Sequence, residues 1–164
     1  LFMFIKITMG FKDMFEKGLS LETAPSIWIT IPILTLLGIT FIRISFGLEH
    51  HFSAPLAKSS LFVLTSVVLS LQIIFGVLGY MIMQKMDYFT KYIESTNKSA
   101  ISFALICPGV AFMVFGMFFI NYGLAYNNII DKYSIAYFIF MLPFVYIQMK
   151  TIIYFFKLYK KFGL

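Results

Sequence analysis

The chain has 164 residues, of which 60% are hydrophobic, 20% aromatic and only 12% charged. Soluble domains carry roughly 25% charged residues, so this chain has too little polar surface to coat a water-soluble globule of its size. The composition excludes an ordinary soluble enzyme, a disordered tail and a nucleic-acid-binding domain. The net charge of +6 suits a membrane surface better than a nucleic acid.

The first 25 residues precede the first apolar span, and we predict that segment 1–25 is cytoplasmic. It begins with Leu1–Met9, which is apolar but too short to cross a bilayer and has no basic region ahead of it, unlike a signal peptide. Two interpretations stand. The segment is either the tail of a preceding helix, with Leu1 as the cut edge of a larger protein, or a short interfacial helix with its lysines at the headgroups.

Four later segments are apolar over about 20 residues or more, the length that a helix needs to cross the hydrocarbon core. They are residues 26–48, 59–84, 99–124 and 133–157. None of them alternates strictly between apolar and polar residues, which disfavours a β-barrel. We therefore predict an all-α integral membrane protein in which residues 26–164 form a domain of four transmembrane helices.

Basic residues divide unevenly between the two sides of this predicted bundle. One side, with the loop between the first two spans and the loop between the last two, has only Arg43, Lys58 and Lys132. The other side, with both termini and the middle loop, has the remaining ten: Lys6, Lys12, Lys17, Lys85, Lys91, Lys98, Lys150, Lys157, Lys160 and Lys161. The positive-inside rule then places both ends in the cytoplasm, as expected for a multi-pass protein of a bacterial-type inner membrane.

Prolines interrupt three of the four predicted spans. Pro32 lies in the first span, where Gly38 follows, Pro108 in the third and Pro143 in the fourth. Proline removes a backbone donor, so these helices should kink or break, and the carbonyls it frees need protein or water as partners. A kinked helix can line a path for a solute, but proline and glycine are also simply more frequent in membrane helices.

Small and uncharged polar residues predict contacts between helices. In the third span Gly109, Gly116 and Gly123 recur every seven residues, which would place them on about one face for close packing. Gln72 in the second span and Asn121 in the third are predicted to form hydrogen bonds between helices.

Two side chains within the spans are candidates for chemistry. Cys107, the single cysteine, stands directly before Pro108. It is either a buried and inert thiol or a reactive thiol in a polar cavity opened by the proline. Arg43 either reaches outward to pair with Glu49 or faces a pore, where it would attract an anion.

The sequence contains no pattern for a bound metal or cofactor, and we predict neither. The only two histidines, His50 and His51, are adjacent and follow the first span in a segment predicted as an interfacial loop. No phosphate-binding glycine loop and no HExxH motif occur. The spans also lack Asp and Glu, which disfavours a proton pump or a cation site and suits anions better.

Two stretches resemble a known family. Residues 19–38, LSLETAPSIWITIPILTLLG, resemble a stretch in the tellurite-resistance/dicarboxylate transporter family, the TehA-like and slow-anion-channel proteins. Residues 107–116, CPGVAFMVFG, are similar to the TsoY-type subgroup, in which selenocysteine can occupy the place of this cysteine.

The resemblance implies a fold of ten helices arranged as five hairpins around a central pore. The odd-numbered helices line that pore, and an aromatic residue in the ninth helix gates it. This chain would then contain the last four helices, with its first and third spans lining the pore and the gate among three phenylalanines. The candidate pore-lining or gating residues are Pro32, Gly38, Arg43, Cys107, Pro108, Phe112, Phe115 and Phe118.

These observations predict part of a transporter or channel for small anions, such as dicarboxylates or sulfur oxyanions. Its partners would be the lipid bilayer and the anion, and either missing N-terminal helices or further copies of the chain would complete the pore. Two alternatives stand beside this prediction. One is a membrane thiol or selenol redox protein acting through Cys107, and the other is an accessory membrane subunit that transports nothing.

Overall fold

The computed structural model describes residues 24–53, 58–95 and 99–163, together with Met9, Lys12 and Leu21. In these ranges all regular structure is helical. Four helices are long and apolar enough to cross a membrane: α1 (Ala24–Phe52), α2 (Lys58–Lys85), α3 (Ala100–Ala125) and α4 (Ile135–Phe162). The prediction of four such helices is confirmed. Both interpretations of the first nine residues fall almost entirely outside the described residues.

Two of the helices end clearly beyond their predicted spans. α1 continues past residue 48 to Phe52, so Glu49-His50-His51 forms its last turn and the prediction of a loop there is wrong. α4 continues past residue 157 to Phe162. Its ends follow from the sequence, because the Ser134 side chain accepts a hydrogen bond from the backbone N–H of Tyr137 and Gly163 adopts the left-handed conformation, with φ of 74°.

α1 and α3 are built on the same plan. Each begins with a six-residue 3₁₀ helix, Ala24–Ile29 or Ala100–Leu105, and becomes an α-helix at the next residue. In each α-helical part the third residue is a proline, Pro32 in α1 and Pro108 in α3. Proline is tolerated in the first turn of an α-helix, so each helix changes its winding next to its proline and continues.

Pro143 does not break α4, contrary to the prediction. The α-helix is continuous from Ile135 to Phe162 with Pro143 inside it. One proline removes one backbone hydrogen bond, and the remaining bonds of the 28-residue helix keep the chain α-helical on both sides of Pro143, as is common in membrane helices.

The four helices form two hairpins whose first helices pack side by side. The 3₁₀ segments of α1 and α3 contact each other, the Thr35 hydroxyl lies 3.1 Å from the carbonyl oxygen of Ala111, and the rings of Phe46 and Tyr122 are 5.4 Å apart. Thr35 and Ala111 are 76 residues apart, and the other contacts keep the same offset, so α1 and α3 are parallel and in register. α2 packs against both of them, whereas α4 packs mainly against α3.

Two clusters of buried side chains hold the hairpins together. The first lies between α2, α3 and α4 and contains Val68, Leu69, Phe115, Ile120, Tyr137 and Phe144. The second lies where α2 and α4 end, and contains Ala24, Met83, Tyr88, Ile93, Leu105 and Leu158. A short π-helix, Phe89–Glu94, covers the second cluster; we call it the connecting helix.

The glycines of α3 do not share one face, contrary to the prediction. Gly109 and Gly116 lie against α4, whereas a Cβ atom at Gly123 would lie 2.6 Å from the Thr65 hydroxyl of α2. The reason is a change of winding, because α3 becomes a π-helix over Phe119–Ala125. A π-helix turns less per residue than an α-helix, so seven residues no longer return to the same side.

Candidate functional site on the paired helices

A group of buried polar atoms joins three helices at the level of the two prolines. Gln72 of α2 is fully buried, and its amide nitrogen donates to the Thr35 hydroxyl of α1 at 2.7 Å and to the carbonyl oxygen of Ile31 at 3.3 Å. The Thr35 hydroxyl also lies 3.0 Å from the carbonyl oxygen of Ile31 and 3.1 Å from that of Ala111 in α3, so its single proton serves both. We call Thr35, Gln72 and these two carbonyl groups the polar node.

The predicted roles of Gln72 and Asn121 in bonds between helices are confirmed. Gln72 joins α2 to α1, and Asn121 of α3 accepts a hydrogen bond from the Tyr137 hydroxyl of α4 at 3.4 Å. The side-chain oxygen of Gln72 is buried and has no hydrogen-bond partner among the described residues. The role of Thr35 was not predicted from the sequence. The one indication of it is a hydroxyl side chain between Pro32 and Gly38, one turn after Ile31.

Next to the polar node, an aromatic ring packs directly against the backbone of a glycine. Phe115 of α3 is fully buried, and its ring occupies the space that a Cβ atom at Gly38 would need. Val68 of α2 borders the same space, 3.3 Å from that Cβ position. Gly38 and Phe115 therefore define the side of the α1–α3 pair that faces α2.

The opposite side of the α1–α3 pair carries Arg43 and Cys107. An α-helix turns by about 100° per residue, so Arg43 lies about 80° around α1 from Thr35, which faces α3. Cys107 lies about 40° around α3 from Ala111, which faces α1, but in the opposite sense. In parallel helices that face each other, opposite rotations bring both side chains to one side, here the side away from α2.

The side chains on this side are exposed, and we call it the open face. Because all of them are exposed, no described helix covers them. The open face consists of Leu36, Thr40, Arg43, Cys107, Val110 and Val114.

Cys107 and Arg43, for each of which the sequence left two interpretations open, both lie on the open face. Cys107 is exposed, so its interpretation as a buried thiol is wrong, and it points outward while Pro108 beside it is buried. Arg43 is also exposed. It lies six residues before Glu49 on a continuous helix, which places the two side chains on different sides of α1 and does not favour their pairing.

Of the three candidate gating phenylalanines, only Phe118 borders the open face. Its ring stacks on Tyr122 with a centroid distance of 5.5 Å. Phe115 points toward α2, and Phe112 is half-buried with its ring 5.1 Å from that of Phe144 in α4. The other candidates lie inside or at the edge of the bundle, with Gly38 and Pro108 buried and Pro32 half-buried.

In the described ranges no group of three or more His, Cys, Asp and Glu side chains could hold a metal ion. The rings of His50 and His51 lie 5.2 Å apart at the end of α1, and Glu49 precedes them in the same turn.

No family model matches the chain, and neither a curated protein nor a solved structure matches it. The structure itself shows four apolar helices, which are compatible with a multi-pass membrane protein. The ten-helix arrangement implied by the resemblance stays a prediction.

Proposed function

We propose that the protein is part of an anion transporter or channel in which the open face borders the path of a small anion. The observation that carries the proposal is Arg43, which is exposed on a face that no described helix covers. A guanidinium group stays charged at physiological pH. A charge at membrane depth is costly unless it faces protein or a water-filled cavity, so an aqueous path beside α1 would both accommodate Arg43 and draw anions to it.

The rest of the α1–α3 pair would act as the rigid wall of this path. The polar node fixes the two helices to each other and to α2, and Thr40 adds a hydroxyl on the same side of α1, about one turn before Arg43. Phe118 borders the open face and is our candidate for the aromatic gate. The remaining walls would come from further helices, as the resemblance implies, or from another copy of the chain.

The test is anion uptake by the purified protein in liposomes, driven by a potassium gradient with valinomycin. Chloride, succinate and sulfate would represent halides, dicarboxylates and sulfur oxyanions. We expect uptake above that of protein-free liposomes, a several-fold loss with Arg43→Gln and retention with Arg43→Lys. Lys132→Gln is the matched control, because Lys132 is an exposed cation in the turn before α4.

Equal uptake by wild type and Arg43→Gln would overturn the assigned role of the open face. No uptake of any of the three anions by the wild type would contradict the transport function and favour an accessory subunit.

Redox chemistry through Cys107 is the second candidate function, because its thiol is exposed on the open face. The proposed chemistry is thiol–disulfide exchange, in which the Cys107 thiolate attacks a disulfide of a partner, forms a mixed disulfide with one sulfur and releases the other as a thiol. Cys107→Ser distinguishes the two candidates. If the protein transports anions, this variant should keep the uptake of the wild type, whereas a redox protein would lose its thiol exchange and show no uptake in either form.

A further inference from the structure

One side of α4 carries three lysines and two tyrosines. Successive members are three or four residues apart, so all of them lie on one side of the helix. α4 contains no Asp or Glu, so no carboxylate of its own neutralises these cations. This basic stripe consists of Tyr146, Lys150, Tyr154, Lys157 and Lys161.

The end of the stripe is attached to the rest of the protein. The Lys161 amino group donates to the backbone carbonyl oxygen of Tyr92 at 2.7 Å, which ties α4 to the connecting helix. The Tyr154 ring stacks on Phe89 with a centroid distance of 6.1 Å, and Phe89 lies 5.6 Å from Tyr80 of α2. Tyr80, Phe89 and Tyr154 therefore form a continuous aromatic shelf from α2 to α4.

Two lysines flank this shelf and remain exposed. Lys150 lies one turn before Tyr154, with its amino group 5.6 Å from the centroid of the Tyr146 ring, a distance typical of a cation–π contact. Lys157 lies one turn after Tyr154 and is exposed. Their backbone positions are about 10 Å apart along the helix, and their long stems allow both amino groups to reach the same headgroup layer.

We propose that the basic stripe and the aromatic shelf bind the headgroup of an anionic phospholipid. The amino groups of Lys150 and Lys157 would contact its phosphate, and the Tyr154 ring between them would lie at the level of the glycerol backbone, the depth that amphipathic rings favour. A lipid fits better than a soluble anion because the site is on the side of α4, beside apolar side chains that acyl chains would cover. Met149, Ile153 and Phe156 are exposed there, at 54%, 46% and 62%.

The test is the titration of detergent-solubilised protein with phosphatidylglycerol and phosphatidylcholine, with bound lipid counted by native mass spectrometry. We expect tighter binding of phosphatidylglycerol, with its Kd raised about fivefold by Lys150→Gln or by Lys157→Gln. Lys157→Arg should keep the wild-type Kd. Lys132→Gln removes an exposed cation at the opposite end of α4 and should leave the Kd unchanged.

Three outcomes would overturn the proposal. They are equal affinity for the two lipids, equal weakening by Lys132→Gln and Lys157→Gln, and displacement of the bound lipid by millimolar inorganic phosphate. The third outcome would assign the lysines to a free anion. The lipid measurement needs no transport activity, so its result is independent of the function proposed for the open face.

Discussion

α2 and α4 are both 28-residue helices and each is the second arm of a hairpin, yet they are buried very differently. α2 packs against α1 and α3 and buries seven residues, including the polar Gln72 and Thr65. α4 packs mainly against α3 and buries only Tyr137, Phe144, Thr151 and Leu158. Those four recur every seven residues, so α4 contacts the bundle along one narrow stripe.

The difference shows how a helix is held within an apolar bundle. Lipid provides no hydrophobic drive for helix association, so close packing and polar contacts must supply it. α2 uses a buried amide, whereas α4 uses Phe144 and Thr151, which fit against Gly116 and Gly109 of α3, with most of its surface left exposed. The predictions below test this contrast between a central and a peripheral helix.

The largest effect is expected from Gln72→Ala in α2. This change removes both hydrogen bonds of the Gln72 amide and leaves a cavity between three helices, so we expect a loss of about 2–4 kcal/mol in the free energy of unfolding. Gln148→Ala in α4 is the matched variant, and because Gln148 is only half-buried we expect a loss below about 1 kcal/mol. Unfolding in a titration of SDS against mild detergent measures both.

Gln72→Leu sharpens the same test. Leucine restores most of the volume and removes the side-chain oxygen that has no partner, so this variant should recover much of the stability lost with alanine. If Gln148→Ala cost as much as Gln72→Ala, the contrast between the central and the peripheral helix would be wrong.

Adding a methyl group at the tight glycines should have the next largest effect. Gly38→Ala and Gly116→Ala would each drive a Cβ atom into a ring, that of Phe115 or Phe144, at a cost of about 1–3 kcal/mol. We expect Gly38→Ala to cost more, because Phe115 is held between α1 and α2, whereas Phe144 lies on the peripheral α4, which can shift.

The control for this pair is Gly47→Ala in α1, where no atom lies within 4 Å of the new Cβ position. It should be neutral or stabilise the helix by up to about 1 kcal/mol. A greater loss with Gly116→Ala than with Gly38→Ala, measured in the same SDS titration, would show that α4 is not the more adaptable helix.

The four spans could be predicted from the sequence because a membrane leaves few choices. A run of about 20 mainly apolar residues must form a helix to satisfy the backbone in lipid. Gln72 and Asn121 were predictable as partners between helices for a related reason, since an uncharged polar side chain in a span needs a hydrogen bond.

The parts that could not be predicted depend on how distant segments pack. Gly123 faces α2 because α3 becomes a π-helix after Phe118. No local sequence pattern predicts that change of winding. The 76-residue spacing between contacting residues of α1 and α3 was visible in the sequence only as a proline eight residues after the first residue of each helix. Only the packing shows that α1 and α3 lie side by side with these two prolines at the same level.

A smaller effect is expected at Tyr88, the residue before the connecting helix. The hydroxyl groups of Tyr88 and Ser102 are both buried and 2.9 Å apart, and this bond joins Tyr88 to the first turn of α3. Tyr88→Phe should cost about 1–2 kcal/mol, because it removes that bond from a buried serine hydroxyl. Faster amide hydrogen exchange confined to residues 88–105 would support this local role, whereas a uniform increase would contradict it.

The smallest effect is expected from Tyr137→Phe in α4. The Tyr137 hydroxyl donates to Asn121 across 3.4 Å, a long bond, and the ring itself stays packed after the change. Hydrogen bonds between membrane helices contribute about 0.6 kcal/mol on average, so the loss should be about 0.5 kcal/mol or less. A peripheral helix held by ring packing tolerates this change, whereas Tyr137→Ala, which removes the ring, should cost at least about 2 kcal/mol. An equal loss of stability for both variants in the SDS titration would show that the hydroxyl, and not the ring, holds α4. α4 would then be held by a polar contact, as α2 is held by the Gln72 amide.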